Sequence, residues 1–367
     1  MKEYILPVQV TDSRDAWHTD NLRIRKPLQI GLSEDRTTVI EKDGYIILDF
    51  GKEMCGGIRT LTFHARHVPV RLRFGESLTE CCSELHGPRN ATNDHALRDF
   101  TLELNDYSDM TFGNTGFRFV RLDFGGQAEL KSILAVNHIL RRTPIFRYEG
   151  PDDRIREIYE AAKRTVDLCA SGSYVWDGVK RDRLVWIGDM HPEMLALTTL
   201  YGRLPIIERS LDFVKDQTPL PGWMNGYPMY SMWWIIILAD YCEKVQAQAF
   251  LKKQLPYLDA LLQQMMGCVK EDGELAYPSY FVDWPTKGQP DELHGVRAIN
   301  IIAAKKAIEL LEAFGKEVLP FIQPRGNKYY VNLKAVNAYA LQRRGVTHIE
   351  ISQECTRCNT DRFWSAR

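Results

Sequence analysis

Three carboxylates and a tryptophan fall within one thirteen-residue run, Asp177-Gly-Val-Lys-Arg-Asp-Arg-Leu-Val-Trp-Ile-Gly-Asp189. Asp182, Trp186 and Asp189 are spaced i, i+4, i+7, so a helix that continues from Asp182 would place all three on one face. Two acids that flank an indole are costly to bury and suit the binding of a polyol ring. A solvated helix face is the alternative that spacing alone leaves open, because charged runs usually face solvent.

Paired carboxylates beside aromatic walls are what glycoside hydrolysis requires. One acid protonates the leaving oxygen, and a second carboxylate activates water or attacks the sugar carbon. Trp223 and Trp284 lie in loops bounded by Gly and Pro, where a ring is available to a ligand. Trp233 and Trp234 open an apolar helix, which favours a place in the core.

Two arginines flank the central acid of the run. Arg181 and Arg183 could each depress the pKa of Asp182, which suits a base better than an acid. They could equally pair with Asp177 and Asp189 and leave Asp182 unpaired. The sequence leaves both arrangements open.

The bulk composition is that of an ordinary soluble protein. The chain has 367 residues, 44% hydrophobic and 26% charged, with a net charge of −1. No overall field therefore attracts nucleic acid or an anionic membrane, and no apolar run reaches the roughly 18 residues of a spanning helix. The N-terminus lacks the pattern of a signal peptide, so we expect a cytoplasmic protein whose eight cysteines are reduced thiols.

Three zones differ in their hydrophobic periodicity. Residues 1–148 show short runs of period two between turn signals, which predict an antiparallel β-sandwich. Residues 149–320 show serial helical patterns that begin after a capping Asp152 or Asp153 and predict a helical array or toroid. Residues 321–367 predict a short α/β tail of different origin, with a helix over 332–344 and a strand over 347–352. The predicted fold class is thus multidomain β plus α.

Several ordered motifs resemble the bacterial α-L-rhamnosidases, the inverting glycoside hydrolase family 78. The segment from Trp176 to Asp189 is similar to the signature of that family, and the resemblance covers roughly residues 30–318. The upstream motifs resemble the β-sandwich that precedes the catalytic barrel, and the downstream one resembles an aromatic sugar-binding loop. They are Leu48-Asp-Phe-Gly51, Gly56-Gly57, Arg73-Phe-Gly-Glu-Ser-Leu78, Asn114-Thr-Gly-Phe-Arg-Phe-Val-Arg121 and Tyr280-Phe-Val-Asp-Trp-Pro285.

The resemblance implies an (α/α)6 barrel that removes terminal α-L-rhamnose from glycosides without a cofactor. Asp182 falls at the position of the general acid of the family. The other matched positions line the sugar pocket, and they are Asp177, Arg181, Trp186, Asp189, Asp283 and Trp284. The implied partner is a rhamnose-containing glycoside, and self-association stays open.

The length between the zones departs from the family pattern. Twelve helices need about 300 residues at ordinary helix and loop lengths, whereas roughly 170 separate Gly150 from Pro320. We therefore expect an incomplete toroid that carries the general acid and lacks the general base, with little or no turnover. Glu274 and Glu292 are fallback candidates for the base. A non-catalytic carbohydrate-binding protein is the alternative function.

The tail resembles the C-terminal region of the laccase-domain proteins, also described as polyphenol oxidoreductases and purine nucleoside phosphorylases. The matching segments are Lys328–Asn337, Arg344–Cys358 and Arg362–Arg367. The catalytic His and Cys residues of that family lie upstream of this region, so no catalytic role transfers. Cys355 and Cys358 have the spacing of half a zinc site, but a second ligand pair is missing nearby, and we expect no metal.

Overall fold

The computed structural model describes residues 2–85, 97–180, 182–313, 322–325, 328–331 and 347–348. The chain divides into two compact units, Met1–Ala303 and Ala304–Arg367. The boundaries near residues 148 and 320 stay predictions. The helix predicted over 332–344 lies outside the described residues, as does nearly all of the strand predicted over 347–352.

Within the described residues of the first unit, seven strands form one antiparallel sheet, as the period-two patterning predicts. Their order is β1-β7-β3-β6-β4-β5, and β2 also pairs with β3. The bounds are β1 Lys2–Ile5, β2 Gln9–Trp17, β3 Thr38–His64, β4 Val68–Gly75, β5 Asp99–Leu104, β6 Ser108–Phe124 and β7 Ala128–His138.

Strand β3 is long and changes partners along its length. Tyr45–Asp49 pairs with the second half of β6, and Met54–Thr62 pairs with its first half, with a register shift between the two stretches. The second half of β3 also pairs with β7. This interruption is a bulge that bends the strand, so one continuous strand pairs with both halves of β6.

The paired glycines of β3 are explained by close backbone contacts. A Cβ on Gly57 would lie 2.1 Å from the carbonyl oxygen of Phe112. A Cβ on Gly56 would lie 2.0 Å from the carbonyl oxygen of Val136, and its φ is +150°. Only glycine fits at either position.

Helices follow the sheet in series, as the change of period predicts. Short α1 lies within the β region, and α5 packs against α3 and α6. The bounds are α1 Leu78–Cys82, α2 Asp153–Cys169, α3 Met190–Tyr201, α4 Pro205–Asp216, α5 Pro228–Val245, α6 Gln248–Met266 and α7 Glu292–Ala313. None of the helices in the described residues is both long and apolar enough to span a membrane.

In the second unit, β8 Ile322–Arg325 and β9 Lys328–Val331 form an antiparallel pair.

Asp152 is the residue that caps α2. Its Oδ1 accepts from the backbone N–H of Arg154 at 2.9 Å and of Ile155 at 3.2 Å. We expect Asp152→Ala to lower the free energy of unfolding by about 1 kcal/mol, because two N–H groups of the first turn lose their acceptor. Urea unfolding followed by circular dichroism measures this change. Asp153→Ala is the matched control, and an equal loss in both variants would contradict the role of Asp152 as the cap.

Candidate functional site

The acid-rich run is a loop, so the predicted helix from Asp182 is wrong. Asp177 and Leu184 close this loop, because Asp177 Oδ1 accepts from the Leu184 N–H at 2.9 Å and the Asp177 N–H donates to the Leu184 carbonyl at 3.1 Å. Arg183 has a φ of 54°, which a helix does not accommodate. Local side-chain bonding thus competes with helix formation, and α3 begins only at Met190, with Asp189 at its N-cap position.

Asp182 and Trp186 nevertheless meet within the loop. The indole Nε1 of Trp186 donates to Asp182 Oδ2 at 3.0 Å. An indole N–H has only one direction of donation, so this bond fixes the ring and the carboxylate relative to each other. The structure therefore brings together the predicted general acid and the predicted sugar-stacking ring.

Lys180 anchors the loop to the β-sandwich. Its ammonium group pairs with the carboxylate of Glu80 in α1, and it reaches Glu76 Oε2 at 3.4 Å. Lys180 and Glu80 are both buried, and Glu80 is also paired with the buried Arg98 at 3.7 Å. A buried charge persists when it is paired and hydrogen-bonded, so this network holds the loop two residues before Asp182.

Arg183 makes a second link to the sandwich. Its guanidinium donates to the Asn114 carbonyl at 2.6 Å and lies over the Trp176 ring, 4.5 Å from the centroid. These contacts take Arg183 toward the β-domain, away from the pairing with Asp177 or Asp189 that the sequence left open. Arg181 lies outside the described residues, so its predicted place in the pocket stays a prediction.

Asn225 fixes the second half of the loop from the opposite side. Its amide accepts from the Ile187 N–H at 3.0 Å and donates to the Val185 carbonyl at 3.2 Å. Asn225 has a φ of 49°, a conformation that asparagine tolerates better than most residues. The loop around Trp186 is thus held by both the sandwich and the helical region.

A continuous strip of aromatic rings extends from Trp186. Trp186 meets Tyr230 edge to face at 6.1 Å, Tyr230 meets Phe281 at 5.9 Å, and Phe281 meets Trp284 at 5.2 Å. These spacings are those of attractive aromatic pairs. The strip links the predicted aromatic loop to the acid-bearing loop through rings that lie far apart in sequence.

Trp284 stands at the outer end of the strip, with 61% of its surface exposed. It begins a 3-10 turn, Trp284–Thr286, in which Asp283 and Thr286 form a capping box. Asp283 Oδ1 accepts from the Trp284 N–H at 2.7 Å, and Lys287 lies 4.8 Å from the centroid of the indole. The carboxylate of Asp283 therefore positions the Trp284 backbone, and the exposed ring is the part of this loop available to a ligand.

Glu193 is a carboxyl group that the sequence reasoning missed. It lies on α3 one turn after Asp189 and is partly buried. Burial and the nearby carboxylates of Asp189 and Asp177 together raise the pKa of Glu193 to about 8, with burial as the largest cause. The charges of Asp189 and Asp177 thus act on Glu193 near the point where α3 begins.

The fallback candidates for a general base have structural partners. Glu274 is exposed and lies 3.8 Å from Arg297. Glu292 is buried at the start of α7, and its Oε2 accepts from the Gly288 N–H at 2.9 Å. These contacts give neither residue a position across from Asp182, so the general base stays unassigned.

A cavity of about 740 Å³ lies beside the closed end of the loop. It is lined by the bulge of β3, one face of α2 and residues 177–179. Glu53 is in this wall, and its Oε1 is buried without a hydrogen-bond partner among the described residues. Burial raises the pKa of Glu53 to about 8, with Glu76 adding to the effect.

The missed residues had weak but readable signals. Lys180 and Asn114 lie inside the motifs that carry the family resemblance, yet their side chains anchor the loop. Glu193 follows Asp189 by one helical turn, a signal that depends on where α3 begins. Asn225-Gly226 is a turn dipeptide of the kind that adopts positive φ. For Lys180, Asn114 and Asn225, the contact joins segments distant in sequence.

No group of three or more His, Cys, Asp or Glu side chains in the described ranges could hold a metal ion. Cys355 and Cys358 lie outside those ranges. The six cysteines that the structure describes are free thiols.

Comparisons with solved structures identify proteins with the same fold. A rhamnosidase from Klebsiella oxytoca with rhamnose bound matches with a TM-score of 0.66 at 16% identity, covering 86% of this chain and 67% of that one. A family 78 rhamnosidase of Bacillus sp. GL1 matches at 0.57 and 18% identity, over 80% of this chain and 33% of that one. An α-L-rhamnosidase from Dictyoglumus thermophilum matches with a TM-score of 0.55 at 14% identity, covering 89% of this chain and 37% of that one.

The chain thus spans about a third to two thirds of the length of these enzymes. The family model described as multi-copper polyphenol oxidoreductase laccase matches residues 303–367. None of the curated proteins compared with the chain matches it. Over most of its length, the chain therefore has the fold of the α-L-rhamnosidases, a β-sandwich followed by part of a helical toroid, and its C-terminal segment matches the laccase-type family model.

Proposed function

We propose that this chain is a glycoside hydrolase of the α-L-rhamnosidase type that binds terminal α-L-rhamnose next to Trp186. The hydrogen bond between Trp186 and Asp182 carries this proposal, because it joins a sugar-stacking ring to a carboxyl group within a fold shared with rhamnosidases. The carboxylates of Asp177 and Asp189 would accept from the sugar hydroxyls. The exposed ring of Trp284 supports stacking on the part of the glycoside farther from the bond to be cleaved.

In the proposed reaction, Asp182 protonates the glycosidic oxygen as the bond to the anomeric carbon breaks. A water molecule attacks that carbon from the opposite face and gives its proton to a second carboxylate, which yields inversion. That second carboxylate stands unassigned among the described residues. Binding and turnover are therefore separate parts of the proposal, and each is measured separately.

Protection of tryptophan fluorescence from iodide quenching tests the binding part. We expect L-rhamnose to protect the wild-type protein, because the sugar covers the Trp186 ring, and we expect Trp186→Phe to lose that protection. Trp17→Phe is the matched control, since Trp17 is 59% exposed in β2 and lies outside the proposed site. Equal protection in wild type and Trp186→Phe would contradict the site.

Hydrolysis of a nitrophenyl α-L-rhamnoside tests the catalytic part. We expect slow turnover at most, because the general base is unassigned, and we expect Asp182→Asn to lower that rate about 100-fold, because the amide cannot donate the proton of a general acid. Rhamnose protection should persist in that variant, since the amide still accepts from Trp186. A rate that is unchanged in Asp182→Asn would remove Asp182 from the mechanism.

A carbohydrate-binding protein without turnover is the second candidate function. The observation that favours it is the exposed, capped Trp284, which offers a stacking surface that needs no catalytic partner. Rhamnose protection with no detectable hydrolysis by the wild-type chain would select this candidate over the hydrolase.

A further inference from the structure

The side chain of Asn225 is hydrogen-bonded to the backbone on both sides of Trp186. Its carbonyl oxygen Oδ1 accepts from the Ile187 N–H at 3.0 Å, and its Nδ2 donates to the Val185 carbonyl at 3.2 Å. Val185 and Ile187 are both buried, so these two backbone groups need partners within the protein. A single side-chain amide supplies both the acceptor and the donor.

These two bonds hold the two peptide planes that meet at the Cα atom of Trp186. The Val185 carbonyl belongs to the peptide group before Trp186, and the Ile187 N–H belongs to the peptide group after it. Because peptide groups are planar, the backbone at a residue has only the dihedral angles φ and ψ, which describe the rotation of these two planes. The amide of Asn225 therefore restrains both angles at Trp186, and with them the direction in which the side chain leaves the backbone.

The turn that carries Asn225 is fixed to the helical region. Asn225 lies in the 3-10 turn Met224–Gly226 between α4 and α5, with a φ of 49° and a ψ of 21°. This left-handed conformation is one that asparagine adopts more readily than most residues. The Met224 N–H donates to the hydroxyl of the buried Ser231 on α5 at 3.0 Å. The Asn225 amide thus reaches the acid-bearing loop from a turn that α5 holds in place.

The direction of the Trp186 side chain determines two contacts of its indole. The ring Nε1 donates to Asp182 Oδ2 at 3.0 Å, and the ring meets Tyr230 edge to face at 6.1 Å. Trp186 is half-buried, so part of its ring is accessible to a ligand. A rotation of the backbone at Trp186 would move the ring relative to Asp182, Tyr230 and any sugar stacked on it.

We propose that Asn225 is a positioning residue of the sugar site, whose amide holds the Trp186 ring against Asp182 and in place for the sugar. The effect on sugar binding rests on the proposed function, whereas the effect on the ring does not depend on it. Asn225 acts through the backbone of Trp186 rather than through a contact with the sugar. Removal of its amide therefore weakens binding while every group of the proposed site that contacts the sugar is still present.

Iodide quenching without sugar tests the effect on the ring. Asn225→Gly removes the amide and keeps the positive φ, which glycine adopts freely. We expect stronger quenching of tryptophan fluorescence in this variant, because the released indole is more accessible to iodide. The increase should disappear when Asn225→Gly is combined with Trp186→Phe, since a cycle of single and double variants isolates the contribution of Trp186.

Rhamnose affinity, measured by protection from iodide, tests the effect on the sugar site. We expect Asn225→Gly to weaken the affinity about tenfold, because the ring must be ordered again on binding. Gln246→Gly is the matched control, since Gln246 is also an amide residue at positive φ, 53°, at the end of α5. Its Nε2 donates to the Glu243 carbonyl at 2.6 Å, outside the proposed site. We expect this control to keep the wild-type quenching and affinity.

Circular dichroism establishes that each variant is folded under the conditions of these measurements. If Asn225→Gly does not fold, Asn225→Asp takes its place, because it keeps the acceptor for the Ile187 N–H and loses the donor to the Val185 carbonyl. One of the two peptide planes is then released, and we again expect stronger quenching that depends on Trp186. Unchanged quenching of Trp186 in a folded Asn225 variant would overturn the inference.

The outcomes separate the inference from the proposed function. Rhamnose protection in the wild-type protein that persists at full affinity in Asn225→Gly would refute the positioning role and leave the rhamnose site standing. Stronger quenching in Asn225→Gly, together with no rhamnose protection in the wild-type protein, would refute the rhamnose site and support the hold of Asn225 on the Trp186 ring.

Discussion

Lys180→Met is expected to lower the free energy of unfolding by about 3 kcal/mol, because it removes one partner of a buried ion pair. Lys180 and Glu80 are both nearly inaccessible to solvent, and methionine fills similar space without a charge. Glu80 would keep the backbone N–H of Glu76 at 2.8 Å, but its remaining cationic partner among the described residues would be Arg98, whose guanidinium Nε lies 3.7 Å away. Urea unfolding followed by tryptophan fluorescence measures the loss.

The same substitution at an exposed ion pair provides the control. Lys253 pairs with Asp212 at 2.7 Å, but 62% of the Lys253 side chain is exposed. Solvent screens such a pair, so we expect Lys253→Met to cost less than about 1 kcal/mol. Equal losses in the two variants would mean that the Lys180 network does not hold the acid-bearing loop to the sandwich.

Trp234→Ala is expected to lower the free energy of unfolding by about 4 kcal/mol, the larger of the two effects. Trp234 is completely buried in α5, and its Nε1 donates to the Leu211 carbonyl at 3.1 Å. Its ring also meets Tyr257 edge to face at 5.5 Å. Truncation leaves a cavity between α4, α5 and α6. It also leaves the Leu211 carbonyl without the indole donor. Urea unfolding followed by circular dichroism at the helical band measures the change.

Trp233→Ala is the natural control, since Trp233 is the preceding residue on the same helix. It is only partly buried, with its ring beside His191 at 5.3 Å. We expect it to cost about 1 kcal/mol. A similar loss of unfolding free energy in both variants would mean that Trp234 contributes no more to the core than the partly buried Trp233. That result would contradict the core position of Trp234 in α5.

Local patterns predicted the type of each element well. The alternating run Phe100–Leu104 formed a strand in which Leu102 and Leu104 are buried and the residues that alternate with them are exposed. The capping acid Asp152 began α2, where its side chain accepts from two N–H groups. The period-two and helical patterns depend on residues that are close together in the chain, so the type of each element can be predicted from the sequence alone.

The acid-rich run shows where local patterns fail. Its i, i+4, i+7 spacing is compatible with a helix, but the bonds of Asp177 to Leu184 and of Arg183 to Asn114 outweigh that tendency. One of these contacts lies within the loop and the other joins residues 69 positions apart. Helical spacing could not reveal the second, because it depends on how the sandwich is placed beside the loop.

The sequence by itself predicted which residues could carry chemistry: the acids of the 177–189 run, Trp186 beside them, and the aromatic loop that contains Trp284. Only the tertiary structure decided their arrangement. It turned the run into a loop and paired Trp186 with Asp182. It also set Glu193 beside Asp189 and Asp177. The physical reason is that burial and pairing of charges depend on groups distant in the chain, and a one-dimensional pattern carries no distances between them.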